Sequence, residues 1–292
     1  MMDTKLETCS LCNKTSILME SHLIPRFVYE WIKNTSKTPY IRSSENINQR
    51  LQDGPKFYLL CEECEQFLSK LEDEFAKNFF KKIANYRNQS TTLTVTENMK
   101  TLILSVFWRC LIIYKDNEND RTNEDTEKLL LLIEDLKRQI NTKCDSKIYF
   151  LPFYGKEPYY DIPQEYIYLL ERCIQPADAR FLDEPHRWYV VLKLPFMYFY
   201  IFSDGFSDAE ISGGTEFTIG NIEIDKINTL PQILRAYIDN DYREFLKSKK
   251  DMSPTNIEKI SRDMMKSNSN TGSDKSLYRS LGNKKRCIFI DI

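Results

Sequence analysis

Two Cys-x-x-Cys pairs constrain the fold of this chain more than any other feature of its sequence. The pairs are Cys9/Cys12 and Cys61/Cys64. Zn²⁺ prefers tetrahedral thiolate or imidazole ligands, and a Cys-x-x-Cys turn presents two sulfur atoms to one ion. Four thiolates complete a closed, structural zinc site, because they leave no coordination position for water. We therefore expect one Zn²⁺ to hold the start of the chain against the segment that contains Cys61.

The remaining cysteines form no second pair at the spacing of metal ligands. The chain has 292 residues and eight cysteines, and the other four are Cys110, Cys144, Cys173 and Cys287. We interpret these four as buried or tolerated thiols. In a reducing compartment, paired Cys-x-x-Cys motifs favour a metal over disulfides. A redox dithiol is the alternative interpretation of the two pairs.

Charge and hydropathy narrow the classes of protein to which the chain can belong. The formal net charge is −2, so nucleic acid would have to bind to a local basic patch rather than to a general positive field. The most apolar stretches, 102–113 and 188–202, are interrupted by charged residues or proline and are short for a membrane crossing. The first residues lack the apolar core of a signal peptide. We expect a cytoplasmic protein with no membrane partner.

The spacing of apolar residues predicts an α+β fold. Phe67, Leu71 and Ile83 belong to one helical stripe that follows the second cysteine pair. Aromatic and β-branched segments, typical of strands, follow further along the chain, and a helical stretch closes them. The predicted order is a zinc-bound module (1–90), a helical connector (91–143), a β-rich α+β domain with a closing helix (144–250) and a partly flexible tail (251–292).

One of the two histidines lies between the cysteine pairs, in Glu20-Ser-His-Leu-Ile-Pro25. A zinc knuckle, then His-x-Ile-Pro, then a second knuckle that opens a helix resembles the layout of zinc-bearing HNH endonucleases, which have the ββα-metal fold. The resemblance covers about Cys9 to Glu74. The same stretches also look like a group of bacterial proteins described as HNH-like. The resemblance implies that residues 1–90 form an HNH-like ββα-metal module.

This resemblance assigns roles to residues beside the motifs. His22 matches the general base, which takes a proton from the attacking water, and Glu65 stands at a position where the family binds a catalytic Mg²⁺ or Mn²⁺ ion. Ser21 stands where the family usually has Asp or His. Two alternatives remain open. His22 could be an imidazole that stabilises the fold by hydrogen bonding, and Glu65 could be an acidic residue favoured near a helix N-terminus.

Basic residues near the proposed cleft are candidates for contacts with nucleic acid. We expect contacts with backbone phosphates from Arg26, Arg42, Arg50 and Lys56. The alternative is that these residues are solvated charges on the protein surface.

The leading hypothesis is a metal-dependent, HNH-like endonuclease that hydrolyses phosphodiester bonds, with DNA as the expected substrate. The resemblance implies a setting in bacterial defence against phage. The rival hypothesis is a catalytically inactive, zinc-stabilised module that binds nucleic acid or a protein, and the C-terminal domain is a candidate surface for a protein partner. A redox or zinc-sensing switch that uses the thiolates is a third hypothesis.

Overall fold

Helices and antiparallel sheets occur together in the structure, which confirms the predicted α+β class. The computed structural model describes residues 6–117, 121–155, 157–182, 186–266 and 272–282. The strands are β1 (Leu6–Thr8), β2 (Thr15–His22), β3 (Lys56–Cys61), β4 (Thr92–Val95), β5 (Tyr149–Pro152), β6 (Gln175–Leu182), β7 (Arg187–Leu194), β8 (Met197–Phe202), β9 (Thr215–Glu216) and β10 (Gly220–Glu223). The helices are α1 (Arg26–Asn34), α2 (Glu62–Phe75), α3 (Lys81–Ile83), α4 (Glu97–Tyr114), α5 (Asn123–Asn141), α6 (Ile167–Arg172), α7 (Asp208–Ile211), α8 (Gln232–Lys250), α9 (Pro254–Lys266) and α10 (Gly272–Leu281).

The N-terminal sheet and the helix that follows it bring the two cysteine pairs together. β2 pairs in antiparallel fashion with β1 on one side and with β3 on the other. The first pair lies in the turn between β1 and β2, whereas Cys61 ends β3 and Cys64 lies in the first turn of α2. Leu68, Leu71 and Phe75 form the buried stripe of α2. Burial of this stripe fixes the start of α2 next to the sheet.

α2 continues through a π-helical stretch, Ala76–Phe80, into α3, and thereby carries aromatic side chains to a second sheet. This sheet has the strand order β6-β7-β8-β5-β9, and its neighbouring strands are antiparallel. The ring centroid of Phe79 lies 5.2 Å from that of Phe150 and 5.1 Å from that of Phe217. One connected cluster of buried hydrophobic residues joins the two sheets. The boundaries near residues 90 and 143 therefore stay predictions, since a single core spans them.

α4 lies in the middle of this core and is apolar on nearly all sides, as expected of a buried helix. Thr96 caps its N-terminus by accepting a hydrogen bond from the backbone N–H of Met99 at 3.3 Å. Arg109 is the buried charge within α4, and its partners define part of the candidate site. Among the described residues, neither α4 nor any other helix combines the length and apolarity that a membrane crossing requires.

The last described helix, α10, packs against α6. Ser276 on α10 donates a 2.6 Å hydrogen bond to Glu171 on α6, and Arg279 donates to the same carboxyl group at 2.5 Å. Glu171 is fully buried, so these contacts satisfy a charge that would otherwise be costly. The segment predicted as a partly flexible tail contains α9 and α10, while residues 267–271 and 283–292 lie outside the described residues.

Candidate functional site

The four paired cysteines converge on one point. Their sulfur atoms all lie within 4.8 Å of one another, and the Cys12 and Cys61 sulfurs are 3.7 Å apart. A tetrahedron with Zn–S bonds of about 2.3 Å has sulfur–sulfur edges of roughly 3.8 Å. The backbone N–H of Cys61 also donates to the Cys9 sulfur at 3.3 Å. The donor set and its spacing therefore fit a metal ion such as zinc, with Cys64 as the fourth ligand.

The protein environment shifts the thiol pKa values of Cys9, Cys61 and Cys64 in different directions. Burial alone would raise the pKa of Cys9, but backbone N–H groups, including those of Cys12 and Cys61, lower this pKa to about 7. Burial raises the pKa of Cys64 and of Cys61, and hydrogen bonding among the sulfurs adds to this effect at Cys64. A cation bound among the sulfurs would favour the thiolate forms of Cys61 and Cys64, which burial disfavours.

His22 ends β2 and pairs with Lys56 at the start of β3. Its Nε2 atom lies 2.9 Å from Oδ2 of Asp53, which belongs to the turn before β3. Its backbone carbonyl accepts a 2.9 Å hydrogen bond from Nη1 of Arg109 on α4. The His22 side chain is 14% exposed and that of Asp53 is 31% exposed. The sequence-predicted histidine is therefore held from two directions and remains within reach of solvent.

The pKa of Asp53 is strongly perturbed. Partial burial opposes ionisation, but the hydrogen bond with His22, the backbone N–H of Gly54 and the ammonium group of Lys56 together lower the pKa to about 2. The Lys56 nitrogen is 3.2 Å from the same Oδ2 atom that contacts His22. Asp53 is consequently ionised throughout the neutral pH range.

Ser21 and Glu65, the two positions that the resemblance assigns to a catalytic cation, are in contact. The buried Ser21 hydroxyl donates a 2.6 Å hydrogen bond to Oε2 of Glu65. Glu72, on the same helix, accepts a 3.0 Å hydrogen bond from Arg109. Burial raises the pKa of Glu72, Arg109 opposes that rise, and the nearby charge of Glu65 adds to it. A polar cluster thus joins β2, α2 and α4 next to His22.

The expected Mg²⁺ or Mn²⁺ site has less support than the cysteine site. Within the described ranges, the cysteines are the group in which three or more His, Cys, Asp or Glu ligand atoms converge. His22 and Glu65 belong to no such group there. A catalytic cation therefore stays a prediction, with Glu65 as its candidate ligand.

Two of the predicted phosphate-binding residues, Arg26 and Lys56, are carried by elements next to His22: α1, which follows it, and β3, which pairs with its strand. Arg26, at the start of α1, forms an ion pair of 2.9 Å with Glu30, and its side chain is 69% exposed. Lys56 contacts Asp53, as described above. Arg26 is thus available at the surface, whereas Lys56 is part of the histidine site.

The other two predicted phosphate-binding residues contact the C-terminal helices. Arg42 donates to the side-chain oxygen of Asn256 on α9 at 3.1 Å. Arg50 lies 3.5 Å from a carboxylate oxygen of Asp263, also on α9. The guanidinium of Arg50 stacks over the ring of Tyr40, 4.4 Å from its centroid. The structure brings Arg42 and Arg50 together on one loop and engages both with α9.

Comparison with known proteins adds no relative. No protein-family model, no curated protein and no solved structure matches this chain. The likeness to HNH endonucleases accordingly remains a resemblance of short motifs within about Cys9 to Glu74.

Sequence reasoning missed Asp53, Glu72 and Arg109 as members of the site. A signal for Asp53 existed, because an acidic residue just before β3 lies opposite the end of an antiparallel partner strand. Glu72 had the spacing of a solvated helix face, and Arg109 lay within an apolar helix. Their roles depend on the packing of α4 against α2, for which the sequence carried no local signal.

Proposed function

We propose that this protein is a metal-dependent nuclease in which His22 is the general base for phosphodiester hydrolysis. The observation that carries the proposal is the pairing of His22 with Asp53 beside the Ser21–Glu65 contact. Perturbed carboxyl groups around a partly exposed histidine are typical of catalytic sites. The zinc ion expected at the four cysteines is structural and would hold the turn between β1 and β2 against the junction of β3 and α2.

The chemistry assigned to the chain's own residues is proton transfer and positioning. A neutral imidazole at His22 accepts a proton from the water that attacks phosphorus. A hard divalent cation, when bound with Glu65 as a ligand, would polarise the phosphate and stabilise the leaving oxygen. Arg26, exposed at the start of α1, is the proposed contact for a backbone phosphate. DNA is the proposed substrate, and the proposed role in anti-phage defence depends on this activity.

The test compares the zinc-loaded wild-type protein with His22→Ala and His186→Ala in the presence of Mg²⁺ or Mn²⁺. His186 is the other histidine of the chain and contacts Asp125 rather than the site. We expect nicking of supercoiled plasmid by the wild-type protein and by His186→Ala, and a loss of about 100-fold or more in His22→Ala. The proposal is contradicted if all three proteins nick the plasmid equally, or if none of them nicks it. Equal zinc content shows that the variants are comparably folded.

A binding module without catalysis is the second candidate, and two observations favour it. Ser21 is a weak cation ligand, and the described residues around Glu65 do not form a group of three converging ligands. This candidate predicts that DNA, RNA or a protein binds without being cleaved. Binding of a labelled oligonucleotide by wild-type protein and His22→Ala alike, with no cleavage in either, would support it.

A further inference from the structure

We infer that Asp53 is the positioning residue of this site: it fixes the orientation and the tautomer of His22 so that Nδ1 is the proton acceptor. The inference deepens the proposed function and rests on it for its catalytic consequence. The positioning itself can be tested without any activity. Asp53 comes 31 positions after His22 in the sequence.

The tautomer follows from the contact between Asp53 and His22. An ionised carboxylate can only accept hydrogen bonds, and a neutral imidazole has a single N–H group. Because Oδ2 of Asp53 lies 2.9 Å from Nε2 of His22, the proton of the neutral ring belongs on Nε2. Nδ1 then carries the free lone pair. No residue in the described part of the chain forms a hydrogen bond with Nδ1.

The turn that carries Asp53 is held tightly in place. The backbone N–H of Gly54 donates to Oδ1 of Asp53 at 2.9 Å, so that the carboxylate is fixed at both oxygens. A Cβ atom at Gly54 would lie only 2.0 Å from the ring of Tyr29, which explains the need for glycine there. The carbonyl of Pro55 accepts a 3.3 Å hydrogen bond from the N–H of Leu23. The turn therefore lies flat on Tyr29 and next to the strand end that carries His22.

His22 is also held on its backbone side. The buried Arg109 donates to the His22 carbonyl at 2.9 Å and to Glu72 at 3.0 Å. The backbone of His22 is thus fixed from α4 while its ring is fixed by Asp53. Such support from two sides leaves the ring little freedom to rotate, as a general base with one productive orientation requires.

The experiment records long-range ¹H–¹⁵N correlation spectra of the full-length, zinc-loaded protein with ¹⁵N-labelled histidine. The chain has two histidines, so His186→Gln assigns both rings at once. At a pH where the His22 ring is neutral, we expect the Nε2–H tautomer in the wild-type protein. Asp53→Asn should reduce its population, because an amide can donate to Nε2 and favour Nδ1–H. Asp53→Glu, which keeps the acceptor, should restore much of the Nε2–H form.

The kinetic arm uses the same proteins. If the proposed nuclease activity exists, Asp53→Asn lowers kcat by about 100-fold or more with little change in KM, and Asp53→Glu recovers part of it. An Nδ1–H tautomer in the wild-type protein, or an unchanged tautomer in Asp53→Asn, overturns the inference about Asp53. The expected spectra together with an inactive wild-type protein would instead overturn the nuclease proposal and leave the positioning of His22 intact.

Discussion

Ser21 donates a 2.6 Å hydrogen bond to the Glu65 carboxylate and so joins the strand that carries His22 to the helix that carries Cys64. The two residues lie 44 positions apart in the sequence. Ser21 is nearly completely buried, so any change at this position acts directly on Glu65. The resemblance to HNH endonucleases predicts cation ligands at these two positions, where the structure has one hydroxyl and one carboxylate in contact.

Ser21→Asp is expected to create a cation site. The carboxylate introduced at position 21 would lie next to that of Glu65, and the two negative charges would repel each other. We therefore expect the variant to lose about 1–2 kcal/mol of stability without divalent ions. Mn²⁺ binds preferentially to such oxygen ligands, so its addition should restore the stability. At 100 times the dissociation constant the gain would be about 2.7 kcal/mol. Thermal unfolding measured across a Mn²⁺ titration checks this prediction. Ser21→Asn serves as the uncharged control. An equal stabilisation of both variants by Mn²⁺ contradicts the prediction.

The part of the site that the sequence predicts correctly is encoded in short motifs. Cys9/Cys12 and Cys61/Cys64 each form a local turn, and two such turns in one module favour a shared metal whatever the rest of the fold. The α+β class was likewise predictable, because α2 has an apolar stripe at helical spacing and β7 and β8 are runs rich in aromatic and β-branched residues. These signals depend only on neighbours in the chain.

The rest of the site depends on contacts between distant segments. Arg109 contacts the carbonyl of His22 across 87 positions, and nothing near Arg109 in the sequence indicates this partner. The start of α10 was also not predictable from neighbouring residues. Gly272 lies in a Ser- and Asn-rich segment whose composition is typical of a linker, but in the structure it begins α10. The helix is held there by the buried Glu171, which needs Ser276 and Arg279 as partners.

Replacing Cys64 tests the metal site directly. We expect the wild-type protein to bind zinc in a one-to-one ratio and Cys64→Ser to lose it. The variant should also lose about 5 kcal/mol or more of folding stability, because structural zinc contributes directly to folding. Metal analysis of protein prepared without chelators, together with urea unfolding, checks this. Cys173→Ser, at a cysteine away from the site, should retain the metal. Full zinc content in Cys64→Ser, or none in the wild-type protein, contradicts the prediction.

Removing Asp263 tests whether Arg50 can bind phosphate. Asp263 on α9 is the acidic partner of Arg50. Asp263→Ala should therefore free the guanidinium of Arg50 to bind DNA. We expect tighter binding of a short duplex and a salt dependence steeper by about 0.9 in log–log slope, the effect of one additional phosphate contact. Fluorescence anisotropy at several salt concentrations measures both. Glu258→Ala, an exposed change of the same charge on the same helix, is the control. An equal gain from both variants would indicate a general charge effect instead.

Lys193 provides a test of pH dependence. It is completely buried in β7, and its ammonium group donates to the carbonyls of Leu170 at 3.0 Å and Cys173 at 2.9 Å. Burial lowers its pKa to about 8. Below this pH the lysine is charged in both the folded and the unfolded state, and folding bears the full cost of burying the charge. Between about pH 8 and 10 only the unfolded state holds the extra proton, so stability rises with pH.

Compared with Lys193→Met, the wild-type protein should therefore gain about 1.4 kcal/mol in its free energy of unfolding per pH unit between pH 8 and 10. Lost hydrogen bonds to the two carbonyls shift the variant by a constant amount and leave this slope unchanged. Urea unfolding of zinc-loaded protein at four pH values measures the difference. Lys249→Met, at an exposed lysine of α8, should show no such slope below pH 10. If the difference in free energy of unfolding between the wild-type protein and Lys193→Met did not change with pH, the ammonium group of Lys193 would be as well stabilised inside the protein as in water.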